Sequence, residues 1–216
     1  MSNYDRLIKL STTELSDALD ALGVEGALLN IKPLKPGYKL IGPAYTVRYK
    51  AYDARPKDFK PAGNYIDKVP KGAVVVIDNQ GRADCTVWGG LLTQFASINS
   101  IAGTIIYGMA RDVALICDSN YPVFSCGAYM RSGKNRVFMA EEQTKITIQD
   151  VTIHPGDMMV GDDNGVLVIP VGLIDEVLCK AEVVHQTEQL IACGIEGGVK
   201  LETLRRVHGY HQPWEK

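Results

Sequence analysis

Gly103-Thr-Ile-Ile-Tyr-Gly-Met-Ala-Arg111-Asp112 is the stretch on which the reading of this chain turns. Ile105, Ile106 and Tyr107 suit a strand buried on both faces, because an apolar run without polar alternation fits a parallel strand packed on two sides. Gly108 predicts an abrupt exit from that strand, after which the chain delivers two adjacent charges of opposite sign. Ligands of an open α/β sheet collect beyond the carboxyl ends of its strands. Arg111 is suited to gripping a carboxylate or an enolate oxygen in bidentate fashion, and Asp112 is an oxygen ligand suited to Mg²⁺ or Mn²⁺. A simpler role fits the same pair, since aspartate is a favoured helix N-cap and the arginine beside it could point into solvent.

The alternation continues on either side. From Gly72 the chain reads as a strand at 73–77, Asp78 and a loop to Trp88, then a helix starting near Gly89. A second helix follows Arg111, and a third strand covers 123–125. Such order predicts βαβ units with parallel strands. After Gly133 the pattern changes to short antiparallel strands at 145–148, 151–153, 158–160 and 166–169, separated by turn chemistry. One of these turns, Asp162-Asp-Asn-Gly165, lacks the downstream Glu of a calcium loop and reads as a hairpin of the Asn-Gly kind. Leu173, Ile174, Val177, Leu178, Ala181 and Val184 then recur at helical spacing. At the other end, Ser11-Thr-Thr-Glu14 is a capping box, flanked by Leu10 and Leu15 as a hydrophobic staple and closed by Gly23. Residues 40–47 predict a strand kinked at Gly42-Pro43, and 49–70 predict a loop. The expectation is a single α/β domain over 1–195, with a central mixed sheet, an N-terminal helix and a C-terminal helix, and a polar tail over 196–216.

Composition narrows the function classes. With 23 Lys and Arg against 25 Asp and Glu among 216 residues, there is no basic excess to recommend nucleic acid as a partner. No apolar run approaches the roughly 18 residues of a spanning helix, and Met-Ser-Asn-Tyr-Asp-Arg has no apolar leader core. A cytoplasmic protein without membrane association is expected. Cys85, Cys117, Cys126, Cys179 and Cys193 form no C-x-x-C and read as reduced, mostly buried thiols. Gly89-Gly90-Leu91-Leu92 would open a helix whose bare N–H groups attract an anion, although a tight turn or close packing also accounts for the glycines. Asp78 reads as a turn residue. His208-Gly-Tyr-His211 lies in the tail without a third ligand, and His154 and His185 stand alone. No nucleotide-binding glycine motif or nucleophile elbow is present.

Taken in order, Gly-Ala-Val-Val-Val-Ile-Asp78, Trp88-Gly-Gly-Leu-Leu92, the stretch ending in Arg111-Asp112, Pro122-Val-Phe, and the run from Pro155 to Pro170 resemble the RraA-like superfamily. That group includes ribonuclease E activity regulators and the class II pyruvate aldolases acting on 4-hydroxy-4-methyl-2-oxoglutarate and 4-carboxy-4-hydroxy-2-oxoadipate. The resemblance implies a swivelling β/β/α-type domain, assembled as a homotrimer or hexamer with sites at subunit interfaces. It implies a divalent metal at Asp112, the substrate oxygen and enolate at Arg111, and the pyruvate carboxylate at the amides of Gly90, Leu91 and Leu92, with Gly89 beside them. The implied activity is a lyase on a 2-oxo-dicarboxylate, by retro-aldol cleavage to pyruvate or by oxaloacetate decarboxylation. The alternatives are a regulatory binding protein on the same scaffold or an enzyme on another 2-oxo acid. The chain departs from the catalytic members in one respect. They usually add a carboxylate at the position of Gly90 or of Leu115, and both are apolar here. Asp118, about two helical turns from Asp112 at about 1.5 Å rise per residue, is a poor substitute. Glu196 and Glu202 are left as donors from a neighbouring subunit.

Overall fold

Val74, Val75, Val76 and Ile77 are all inaccessible to solvent, as a strand covered on both faces requires. The computed structural model describes residues 2–53 and 63–210. In chain order its elements are α1 (Asn3–Leu7), α2 (Thr12–Asp20), β1 (Ala27–Leu28), β2 (Lys32–Pro33), β3 (Leu40–Ala51), a 3₁₀ turn (Asn64–Lys68), β4 (Val74–Trp88), α3 (Gly90–Ile98), β5 (Gly103–Ala110), α4 (Val113–Ser119) and β6 (Val123–Ala128). Then come β7 (Val137–Glu142), β8 (Ile146–Ile148), β9 (Val151–Ile153), β10 (Met158–Asp162), β11 (Gly165–Ile169), α5 (Ile174–Glu196) and α6 (Leu201–Val207). These fall into two compact units, a helical one built from residues 2–26 and 172–210, and a sheet unit built from residues 27–171.

The sheet runs β1-β11-β10-β3-β4-β5-β6-β2, with β7 also paired to β3. β3 joins its two characters: the first residues lie antiparallel to β10, the next parallel to β4, and the last antiparallel to β7. β4, β5 and β6 are parallel, as the alternating pattern predicts. Period-two alternation divides their side chains between two cores. Val75, Ile77 and Ile106 enter one, with Ala96 of α3 and Ile116 of α4. Val74, Val76 and Ile105 enter the other, covered by Ile146, Ile148, Val151 and Ile153 of the β8–β9 hairpin. The result is a helix layer, a central mixed sheet and a β layer, in which each buried aliphatic side chain contributes about 1.5–3 kcal/mol.

Several boundaries differ from expectation. β4 does not yield to a loop at Asp78; it continues to Trp88 through register shifts after Asp78, Arg82 and Thr86. β5 likewise runs past Gly108, which sits opposite Arg82 with Asn79 packed against it and lets the strand bend rather than leave. Residues 49–51 complete β3, Asn64–Lys68 form a turn, and residues 54–62 of the expected loop lie outside the described residues. The β10–β11 turn is centred on Asp163-Asn164, where Asp162 Oδ1 accepts the Asn164 N–H at 2.8 Å, so the Asn-Gly assignment is off by one residue. β3 passes through Gly42-Pro43 without a break. Gly42 is required there because a Cβ would lie 2.3 Å from the Gly72 carbonyl oxygen. Gly42→Ala is expected to lower stability by about 1–3 kcal/mol, the usual range for overpacking; an unchanged urea midpoint would show that this approach is slack.

In the helical unit Ser11 caps α2 as expected, its hydroxyl accepting from the Glu14 N–H while Glu14 Oε2 accepts from the Ser11 N–H at 2.6 Å. Glu14 Oε1 also lies 2.6 Å from His185 Nδ1, and His185 Nε2 lies 2.9 Å from Gln189, so His185 does not stand alone. Burial pushes the Glu14 carboxyl up, but the Ser11 N–H, His185 and the Ser11 hydroxyl outweigh it and hold it below its usual 4.5. A carboxyl lowered on folding stabilises fully above its unfolded value and loses that contribution as pH falls through the folded one. Thermal stability is therefore expected to decline as pH drops below about 4.5, with Glu14→Gln flattening this part of the profile. Parallel melting curves for the two proteins would remove Glu14 from the account.

α5 runs well beyond Val184, and the expected polar tail contains α6, whose Leu204 is buried against Gly194. All five cysteines are free, but only Cys85 is buried; Cys179 and Cys193 lie exposed on α5, which corrects the expectation of mostly buried thiols. Among the described residues no helix is long and apolar enough to cross a membrane.

Candidate active site

The site forms where β4 and β5 end beside each other. Trp88 Nε1 donates to Thr93 Oγ1 at 2.8 Å, both groups being buried, and this bond fixes the turn from β4 into α3. The Arg111 N–H donates to the Trp88 carbonyl at 3.1 Å, holding the end of β5 alongside. Asp112 then adopts φ 59° and ψ 39°, a left-handed conformation that costs a non-glycine residue about 1–2 kcal/mol. It occupies the N-cap position of α4, yet its side chain caps nothing in α4. Its Oδ2 instead accepts the Gly90 N–H at 2.9 Å, with Arg111 Nε at 3.6 Å. Backbone strain of this kind persists where the surroundings over-determine it, and functional sites are where it collects. Arg111 and Asp112 are each a little over one-third exposed.

A cavity of about 230 Å³ gathers Gly89, Gly90, Leu91, Leu92, Arg111 and Asp112, every site residue expected from the sequence. The three amides at the start of α3 are not equivalent. Gly90 N–H is committed to Asp112, whereas Leu91 and Leu92 open the helix ahead of its first internal bond, from Thr93 N–H to the Gly89 carbonyl. Those two N–H groups and the helix dipole favour an anion.

Thr86, Ser132, Gly133 and Lys134 also line the cavity, with Gly63, Val87 and Trp88, and were not anticipated as site residues. Their loop is laced to β4: Thr86 N–H donates to the Arg131 carbonyl at 2.9 Å, and Gly133 N–H to the Thr86 carbonyl at 2.8 Å. No motif announces this pairing. The available signal was position, because Ser132-Gly-Lys134 follows the carboxyl end of β6 as Arg111-Asp112 follows that of β5.

Other candidates lie elsewhere. Asp78 is buried within β4, where its Oδ2 lies 3.4 Å from Arg48 Nε and its Oδ1 accepts the Gln80 N–H; burial raises its carboxyl, with Gln80 and Arg48 opposing. His154 is exposed, 3.5 Å from Asp157. His208 follows α6, and His211 lies outside the described residues. Asp118 is in α4 and does not line the cavity, Glu196 ends α5, and Glu202 lies in the first turn of α6. Gly90 and Leu115 prove to be neighbours: a Cβ on Gly90 would lie 3.0 Å from Leu115 Cδ1 and 3.5 Å from Asp112 Oδ2. Among the described residues no three His, Cys, Asp or Glu side chains cluster as metal ligands. A lone carboxylate does not suit tetrahedral zinc, but it fits a hard cation that keeps most of its water.

Residues 12–168 match the family model described as RraA-like, Aldolase/RraA. The chain belongs to the RraA-like family. "Protein DlpA" of Legionella pneumophila is 53% identical over 209 residues, covering 97% of this chain but 34% of that protein, so the chain spans about a third of this relative's length. A Halalkalibacterium halodurans protein named "Putative 4-hydroxy-4-methyl-2-oxoglutarate aldolase" is 34% identical, covering 80% of this chain and 79% of its own. Among solved structures, a Pseudomonas syringae pv. tomato protein superposes with a TM-score of 0.86 at 44% identity, over 93% of this chain and 95% of that one. Streptomyces coelicolor RraAS2, described as an unusual member of the RNase ES inhibitor RraA family, superposes at 0.79 and 24% identity, over 86% and 93% of the two chains, which shows a common fold. The mixed sheet with flanking helices is thus the RraA-like architecture.

Proposed function

We propose that the protein is a divalent-metal-dependent lyase acting on a 2-oxo-dicarboxylate, releasing pyruvate by retro-aldol cleavage or by decarboxylation of oxaloacetate. The observation that carries this reading is the Asp112 carboxylate, held in a strained backbone conformation beside Arg111 and over the start of α3 in one cavity. The aldolase name of the Halalkalibacterium relative supports it. Leu91 and Leu92 N–H groups bind the substrate carboxylate and so orient the 2-oxo group. Arg111 donates to the oxygen that becomes anionic as the C–C bond breaks, an interaction that strengthens in the transition state. Asp112 would hold Mg²⁺ or Mn²⁺, which supplies Lewis-acid stabilisation of the enolate. The Gly90 N–H and Arg111 orient the Asp112 carboxylate.

Leu91 lines the cavity and Leu115 sits against Gly90 beside it, both large exposed apolar side chains. They support assembly through this face as a homotrimer or hexamer, which light scattering would measure. A cytoplasmic location accords with the absence of a spanning helix among the described residues. A second reading, a regulatory binding protein, is favoured by the apolar Gly90 and Leu115. The deciding experiment measures pyruvate release from 4-hydroxy-4-methyl-2-oxoglutarate and from oxaloacetate, with Mg²⁺ or Mn²⁺ and with EDTA. No rate above the metal-only blank with either compound would reject the lyase.

A further inference from the structure

Lys134 stands at the wall between two cavities. One is the site just described, and the other is an open cavity of about 630 Å³ lined by Tyr52, Asp53, Arg82, Lys134, Asn135 and Arg136. The charges around this second space are unequal. Arg82 Nη2 is paired with Asp84 at 2.7 Å, but its Nε is buried without a hydrogen-bond partner among the described residues. Arg136 Nη1 donates to the carbonyls of Ser132 and Lys134, which fixes the loop, and Arg136 forms no ion pair among the described residues. The Lys134 side chain is exposed and forms no ion pair among the described residues. Among the described residues Asp53 is the one carboxylate lining the cavity.

A ligand with a single carboxylate is satisfied by the Leu91 and Leu92 amides, with Arg111 at its oxo oxygen. A second carboxylate on the same ligand needs its own cation, and Arg111 is already engaged by Asp112. We propose that Lys134, backed by Arg136 and Arg82, binds the distal carboxylate of a 2-oxo-dicarboxylate and so selects dicarboxylates over monocarboxylates. This assignment rests on the lyase reading of the same cavity. Lysine suits the task because its ammonium is a point charge on a flexible stem, able to follow substituents of different length between the two cavities.

The test is calorimetric titration of 2-oxoglutarate and 2-oxobutanoate, in Mg²⁺, into wild type, Lys134→Gln and Lys134→Arg, alongside the pyruvate-release assay. Wild type is expected to bind the dicarboxylate about tenfold more tightly, as a partly exposed charge-assisted contact gives. Lys134→Gln is expected to lose that preference through the dicarboxylate, and Lys134→Arg to keep most of it. Superimposable melting curves would confirm that the exposed substitution leaves the fold intact. Pyruvate release without any wild-type preference, or a preference that survives Lys134→Gln, overturns the Lys134 assignment alone. No binding of either acid together with no metal-dependent release overturns the lyase reading and the assignment with it.

Discussion

Asp112→Asn is expected to reduce metal-dependent pyruvate release by about a thousandfold while leaving the melting temperature within a few degrees of wild type. Asparagine tolerates the left-handed conformation, and its amide oxygen can still accept the Gly90 N–H that Asp112 Oδ2 accepts at 2.9 Å. What the substitution removes is the negative charge, and with it the hold on a divalent cation. Asp112→Ala would also lose the Gly90 bond and impose left-handed strain, so its effect mixes chemistry with folding. Asp112→Asn separates them. Mn²⁺ binding followed by electron paramagnetic resonance provides the second readout, and a variant that retains both metal affinity and turnover would show that this carboxylate is structural.

Gly89→Ala is the second substitution of large expected effect, for a reason independent of charge. Gly89 has φ −166°, extended backbone open to any residue, so alanine meets no conformational penalty there. Its Cβ, however, would lie 2.7 Å from Asp112 Oδ2 and 3.0 Å from Arg111 Cγ. The methyl group must push both side chains aside. A displacement of about 1 Å at reacting groups costs about a hundredfold in rate, so turnover is expected to fall by that order in a protein that melts normally. Wild-type kinetics in this variant would mean that Arg111 and Asp112 occupy other rotamers during the reaction.

The parts legible in the sequence were those fixed by local chemistry. The Ser11-Glu14 capping box, the two-sided burial of 74–77, and the convergence of Gly89 to Leu92 with Arg111 and Asp112 follow from short patterns. Long-range pairing hid the remainder. β4 continues through residues 79–88 because its bulges are supported by β5, Gly108 bends a strand that its sequence would end, and Lys134 reaches the site through backbone bonds between Thr86 and the 131–133 loop. The Asp112 side chain is the clearest case. Its N-cap position is visible in the sequence, but its diversion to Gly90 depends on α3 starting beside it.

The contact between Gly90 and Leu115 gives the scaffold a direction of change. An acid introduced through either chain position would enter the same volume, so the two substitutions exclude each other by space rather than by chemistry. Leu115 is mostly exposed, and exchanging it for aspartate removes the methyl groups that fill the gap without disturbing α3. Gly90→Asp meets Leu115 Cδ1 at 3.0 Å from its first carbon, so that exposed side chain must swing aside by a few tenths of an ångström. Each route toward a second carboxylate beside Asp112 is thus a single substitution, and the one through Leu115 asks the smaller adjustment of its neighbours.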